Sequence, residues 1–189
     1  MTVRILTVCT GNICRSALAE YQLRDLLPEF DISSAGTHAV VGWEVPEQQV
    51  RIAQAQGLDA ITDHQPRQVT AAMLQEADVI LALTMEHRRQ LARLSPISAR
   101  KLFTLREFAA LTAAVTEEDL QAARDDMVED VATSAAASLR GVVPTPEDPA
   151  EWDVIDPFRQ SDEVYQESAD QLLPAARQIA EYYRRNANS

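Results

Sequence analysis

Short apolar runs alternate with amphipathic stretches along this chain, and glycine, proline or a polar turn separates one from the next. The run Val3-Arg4-Ile5-Leu6-Thr7-Val8 is short, apolar and rich in β-formers, and predicts a buried strand. Gly11 and Asn12 break it. Over residues 17–27 the spacing turns helical, with Leu23, Leu26 and Leu27 on one face, Ser16 in the capping position and Pro28 as the stop. Residues 30–34 predict a second strand closed by Ala35-Gly36, and residues 46–56 a helix stopped at Gly57. A third unit follows: a helix over 70–77 capped by Thr70, a strand over 78–83 and a polar-faced helix over 85–94. Residues 101–105 predict a fourth strand, with a helical turn reaching Leu111.

This alternation predicts an α/β fold: a three-layer, doubly wound, parallel four-stranded sheet with helices on both faces. Ligands of such sheets bind at the carboxyl ends of the strands, and Cys9 stands at the end of the first. Residues 112–151 interrupt the pattern and read as a helical insertion. Thr116-Glu117-Glu118-Asp119 has the form of a helix start, and Leu120, Ala123, Met127, Val131 and Ala135 make one apolar stripe before Gly141. The stripe reads first as ordinary packing on the main core, with a lid or a dimer contact as the sharper alternative. Pro144, Pro146 and Pro149 predict an extended linker, and residues 161–185 a long closing helix kinked by Pro174. A length of 189 residues fits one domain over 1–189, the insertion included.

Composition narrows the function. The formal charge of −12 carries no surplus of Lys and Arg, which argues against sequence-independent nucleic-acid binding. No apolar run reaches the roughly 20 residues needed to span a bilayer, and the first residues lack the pattern of a signal peptide, so a cytoplasmic protein without membrane insertion is expected. The two cysteines, Cys9 and Cys14, are too close to staple a fold and lack the partners of a zinc site. Chemistry is the better explanation for them, and no metal or cofactor is expected.

That chemistry can be built from Cys9-Thr10-Gly11-Asn12-Ile13-Cys14-Arg15-Ser16. A loop between strand and helix turns backbone N–H groups into one concavity, and the helix start adds partial positive charge. Thr10, Gly11, Asn12, Ile13, Cys14 and Arg15 are therefore expected to bind phosphate. Gly11 is expected to supply backbone angles closed to other residues, and the Arg15 fork to hold two phosphoryl oxygens. The same field favours a thiolate, so Cys9 is expected to be a nucleophile with a depressed pKa. The leaving oxygen then needs an acid. Asp156 in Val154-Ile155-Asp156-Pro157-Phe158 is the candidate, because Pro157 holds the residue before it extended. Asp153 and Asp162 are the alternatives, and Asp148-Pro149 reads as a simple turn.

These residues resemble the low-molecular-weight protein tyrosine phosphatases. The likeness rests on residues 8–16, Ser34-Ala35-Gly36-Thr37, His64-Gln65-Pro66-Arg67-Gln68, Asp78-Val79-Ile80-Leu81 and Asp156-Pro157-Phe158, and covers residues 3–111 and 152–185. It implies that Cys9 attacks phosphorus to form a phosphocysteine, with Asp156 as acid and then base, and Arg15 on the phosphoryl oxygens. It implies that Ser16 donates to the Cys9 thiolate and that His64, otherwise read as a surface histidine, supports the loop shape held by Asn12. Cys14 matches a second cysteine that pairs reversibly with the nucleophile; packing is its other reading. Ala17 replaces the family's usual proline. The region His38-Ala39-Val40-Val41-Gly42 lacks an aromatic wall, leaving Val40 and Phe158 as the expected substrate walls and Trp43 as a further aromatic nearby. With Phe158-Arg159-Gln160-Ser161, this resembles the bacterial subgroup that acts on tyrosine autokinases of capsule and exopolysaccharide export. A phosphotyrosine protein is the implied partner. Two other functions stay open: an arsenate reductase using a low-molecular-weight thiol, since no cysteine follows Cys14 to relay a disulfide, and a non-enzymatic phosphotyrosine-binding module.

Overall fold

The computed structural model describes residues 2–126 and 130–186. Strands β1 (Arg4–Cys9), β2 (Asp31–Gly36), β3 (Val79–Ala82) and β4 (Leu102–Thr104) form one sheet in the order β2-β1-β3-β4, every pair parallel. The expected four-stranded parallel sheet is present. Successive side chains of a strand point to opposite faces, and the core divides accordingly. Ile5, Cys9, Val79, Leu81 and Phe103 pack with helices α1 (Arg15–Leu26), α5 (Leu105–Ala114) and α8 (Asp162–Asn186). Leu6, Val8, Ile80, Ala82 and Leu102 pack on the other face with Leu74 of α3 (Ala71–Glu76) and Leu91 of α4 (Met85–Leu94). The order reverses beside β1, so the crevice opens at Cys9. Helix α2 (Glu47–Ala55) and a 3-10 turn over Asp59–Asp63 lead to His64.

Several boundaries differ from expectation. Strand β2 starts at Asp31 and runs on through Ala35 and Gly36, because pairing with Val8 and Cys9 extends it. Helix α1 begins at Arg15, and Cys14 precedes it without a side-chain cap. Ser16 is thus a helical residue and not the cap; its hydroxyl is engaged elsewhere. Helix α5 continues three residues beyond Leu111, supported by a capping box between Thr104 and Glu107. Helix α8 runs unbroken through Pro174, which sits on its exposed side.

Residues 112–151 hold two helices in place of one stripe: α6 (Glu117–Asp125) and α7 (Val131–Ser138). Leu120, Ala123 and Ala135 still share one cluster, with Val131 against it, because the two helices pack on each other. Met127 lies outside the described residues. Ala132, Ala136 and Leu139 join the main core. Tyr182 donates to the Ala132 carbonyl at 2.7 Å, and the Tyr183 and Thr133 hydroxyls meet at 2.7 Å. The segment packs on α5 and α8 through Ala132, Ala136 and Leu139, whereas the stripe positions face one another between α6 and α7 and not the main core.

Candidate active site

The site starts from the turn that joins β1 to α1. Its carbonyls are turned outward and held: Cys9, Thr10 and Gly11 carbonyls accept from Thr37, His38 and Val40 N–H at 2.9, 3.0 and 3.1 Å. With the oxygens held outside, the N–H groups are left to face the concavity. Asn12 N–H donates to Cys9 Sγ at 3.3 Å. Ser16 Oγ lies 3.0 Å from the same sulfur, the contact that the family resemblance implies.

Asn12 carries the shape of the loop. Its φ of 59° is left-handed, a conformation Asn tolerates better than most residues. Its amide donates to Ser16 Oγ at 3.0 Å and Ser34 Oγ at 2.7 Å, and its side-chain oxygen accepts from Arg67 N–H at 2.9 Å. His64 donates through Nε2 to the Asn12 carbonyl at 2.7 Å; a carbonyl only accepts, so Nε2 holds the ring proton. Burial lowers the His64 pKa below the ordinary imidazole range. The surface reading of His64 is therefore wrong. Gly11 departs from expectation too. Its φ is not positive, and a Cβ there would make ordinary contacts with Ile13 and Val40 at 3.5 Å. The glycine that the loop does require is Gly36, where a Cβ would strike the carbonyl oxygen of Thr10.

Arg15 is 4% exposed. One of its amino groups donates to the Val154 carbonyl at 3.0 Å and the other pairs with Asp156 Oδ2 at 2.8 Å. Its Nε is buried with no partner, an arrangement suited to an incoming phosphoryl oxygen. Asp156 is half exposed at the cleft, and its Oδ1 accepts from Phe158 N–H at 3.2 Å. Of the three candidate acids, Asp156 is the one paired with Arg15. Asp153 instead accepts from Met85 N–H at 2.7 Å, and Asp162 pairs with Arg51 at 2.9 Å.

The cleft holds about 130 Å³ and is lined by Cys9, Thr10, Gly11, Ile13, Cys14, Arg15, His38, Val40, Asp156 and Phe158. Val40 and Phe158 stand where substrate walls are expected. Trp43 is half exposed beside them, its ring 6.5 Å from that of Phe158. Cys14 is a buried member of the same loop, 3.9 Å from the Tyr165 hydroxyl, and burial, with the neighbouring Cys9, pushes its thiol up to about 12. Both cysteines are free thiols.

The sequence reading missed four supporting residues. Glu20 accepts from Ser34 Oγ at 2.6 Å and faces His64 Nδ1 at 3.6 Å. Arg67 Nε donates to the Ser34 carbonyl at 2.7 Å. His87 contacts Thr10 at 2.8 Å. Ser34 and Arg67 sit in segments that carried the resemblance; Glu20 and His87 sit in ordinary helical pattern and left no signal.

A family profile described as low molecular weight phosphotyrosine protein phosphatase matches residues 4–133. The chain belongs to this family. The matched span holds the phosphate loop of the phosphatase fold and ends before Asp156. The phosphatase Etp of Escherichia coli K12 is 39% identical over 92 residues, which are 49% of this chain and 62% of Etp, so the chain spans less than two thirds of that relative. The tyrosine phosphatase Wzb of Escherichia coli K30, solved with sulphate, superimposes with a TM-score of 0.68 at 26% identity over 96% of this chain and 98% of Wzb. The arginine phosphatase YwlE of Geobacillus stearothermophilus gives 0.71 at 25% identity over 97% and 94%.

Proposed function

We propose that this chain is a protein-tyrosine phosphatase that hydrolyses phosphotyrosine through a phosphocysteine at Cys9. The observation that carries the reading is the meeting of Cys9, Arg15 and Asp156 at one cleft, with Arg15 paired to Asp156 at 2.8 Å. Attack by Cys9 Sγ on phosphorus breaks the bond to the phenolic oxygen, and Asp156 gives that oxygen its proton. Water then attacks the phosphocysteine, Asp156 takes a proton from it, and phosphate leaves with the thiolate restored. Arg15 neutralises charge on the phosphoryl oxygens in both steps. An arriving phosphoryl group competes with Asp156 for Arg15, which gives the buried Nε an acceptor and releases the carboxyl toward the leaving oxygen.

Ile13, Val40 and Phe158 make apolar walls that suit a phenyl ring. The likeness to Wzb and Etp, and the segment after Asp156, support a bacterial tyrosine autokinase of polysaccharide export as the protein substrate. Two free cysteines fit a cytoplasmic place. Residues 112–151 share the core of the phosphatase fold, which supports one domain over 1–189. Cys14, in the same loop as Cys9 and lining the same cleft, is proposed as its reversible redox partner.

Phosphate release from phosphotyrosine peptide, phosphoarginine and an aryl phosphate, with Cys9→Ser as control, tests the reading. Turnover of the two aryl substrates and none by Cys9→Ser is expected. Wild-type turnover by Cys9→Ser, or turnover of phosphoarginine alone, overturns it. Arsenate-dependent thiol oxidation without phosphate release points to the reductase instead.

A further inference from the structure

We infer that His87 is a positioning residue for the phosphate loop, acting through the hydroxyl of Thr10. The inference rests on the phosphatase reading of the cleft that Thr10 lines. Thr10 is the first residue past the nucleophile; it is exposed and lines the cleft. His87 supplies a partner. It lies in the first turn of α4, is 5% exposed, and sets its Nε2 2.8 Å from Thr10 Oγ1.

The far side of the ring is fixed as well. Thr84, the cap of α4, accepts from His87 N–H at 3.1 Å and lies 2.9 Å from Nδ1. The tautomer that uses every atom has the Thr84 hydroxyl donating to an unprotonated Nδ1, with the ring proton on Nε2. The ring then donates to Thr10 Oγ1, which leaves the hydroxyl proton of Thr10 to point into the cleft as a donor to a phosphoryl oxygen. Burial, reinforced by Arg15, drops the His87 pKa to about 4, so the ring keeps the neutral form that this chain of bonds needs.

The start of α4 and the residue before its cap also hold the segment leading to the acid. Leu83 accepts from Val154 N–H at 2.9 Å, Met85 N–H donates to Asp153 at 2.7 Å, and the Val154 carbonyl accepts from Arg15. Residues 83–87 therefore brace both halves of the site, with His87 as the side-chain contact to the phosphate loop.

Kinetics on an aryl phosphate, competition by inorganic phosphate and thermal melts of His87→Phe, His87→Gln, Thr10→Val and the double His87→Phe/Thr10→Val test this. His87→Phe is expected to raise KM and weaken phosphate inhibition about five- to tenfold, with a smaller change in kcat, as for the loss of one directed hydrogen bond. His87→Gln, whose amide reaches the Nε2 position, recovers most of the loss. Thr10→Val matches His87→Phe, and the double variant is no worse than either single. Unchanged KM and phosphate inhibition in His87→Phe, or fully additive effects in the double, overturn the inference. If His87→Phe does not fold, Thr10→Val decides: unchanged phosphate binding there overturns it equally. Failure of the phosphatase reading shows separately, as absence of wild-type turnover.

Discussion

At Asp156 a carboxylate stands 2.8 Å from a buried guanidinium, half exposed at the mouth of a cleft that ends on a thiol. Proton donation to a leaving oxygen matters most when that oxygen is a poor leaving group. Asp156→Ala is therefore expected to lower kcat by about 10²–10⁴ on phenyl phosphate and by much less on p-nitrophenyl phosphate. Equal losses on both substrates would remove Asp156 from the acid role. The core of the site was legible at this scale: Cys9, Arg15 and Asp156 are reactive or charged residues that announce themselves by type and by local motif. The supporting residues were not. Glu20 is a helical glutamate in a chain rich in acids, and only the fold shows that it is 8% exposed beneath Ser34. His87 reads as one more polar residue of an amphipathic helix until tertiary packing buries its ring against Thr10.

At the scale of elements, the strand-turn-helix unit was legible because a β-rich run, a glycine break and helical periodicity follow one another without a gap. The division of labour within it was not. Gly11 looked like the residue of special conformation, yet Asn12 takes the positive φ, because three side-chain bonds and one carbonyl bond hold it there. The needed glycine is across the ladder at Gly36, a feature no local pattern reports. Gly36→Ala is expected to destabilise the fold by about 1–3 kcal/mol and to impair activity, since the new methyl meets backbone. Gly11→Ala is expected to change stability by only about 0.5 kcal/mol. Chemical denaturation of both variants checks the contrast, and the reverse order would contradict it. The same limit explains the stripe over residues 112–151. Its apolar positions were visible, but the break between α6 and α7 was not, and only the docking of Thr133 and Ala132 on Tyr183 and Tyr182 shows where it packs.

Across the whole molecule, a chain of charge −12 concentrates an anion site at one loop. Among the described residues no helix is long and apolar enough to cross a membrane. Two buried histidines flank the loop, and burial lowers the pKa of both. The unfolded chain therefore binds more protons than the folded one below the ordinary imidazole value of 6.5, and for His87 this continues down to about 4. Their contribution is complete above 6.5 and is lost as pH falls through that window. Urea denaturation is expected to show falling stability from neutral pH toward about pH 4.5, with a shallower fall in His87→Gln. An equal slope in the variant would take His87 out of the acid response. The central claim, that this fold places Cys9 to carry the phosphoryl group, is tested most directly by acid quench of Asp156→Ala during turnover of an aryl phosphate, followed by peptide mass analysis. The account predicts a phosphoryl group on Cys9; turnover with Cys9 unmodified and phosphate on any other side chain would contradict it.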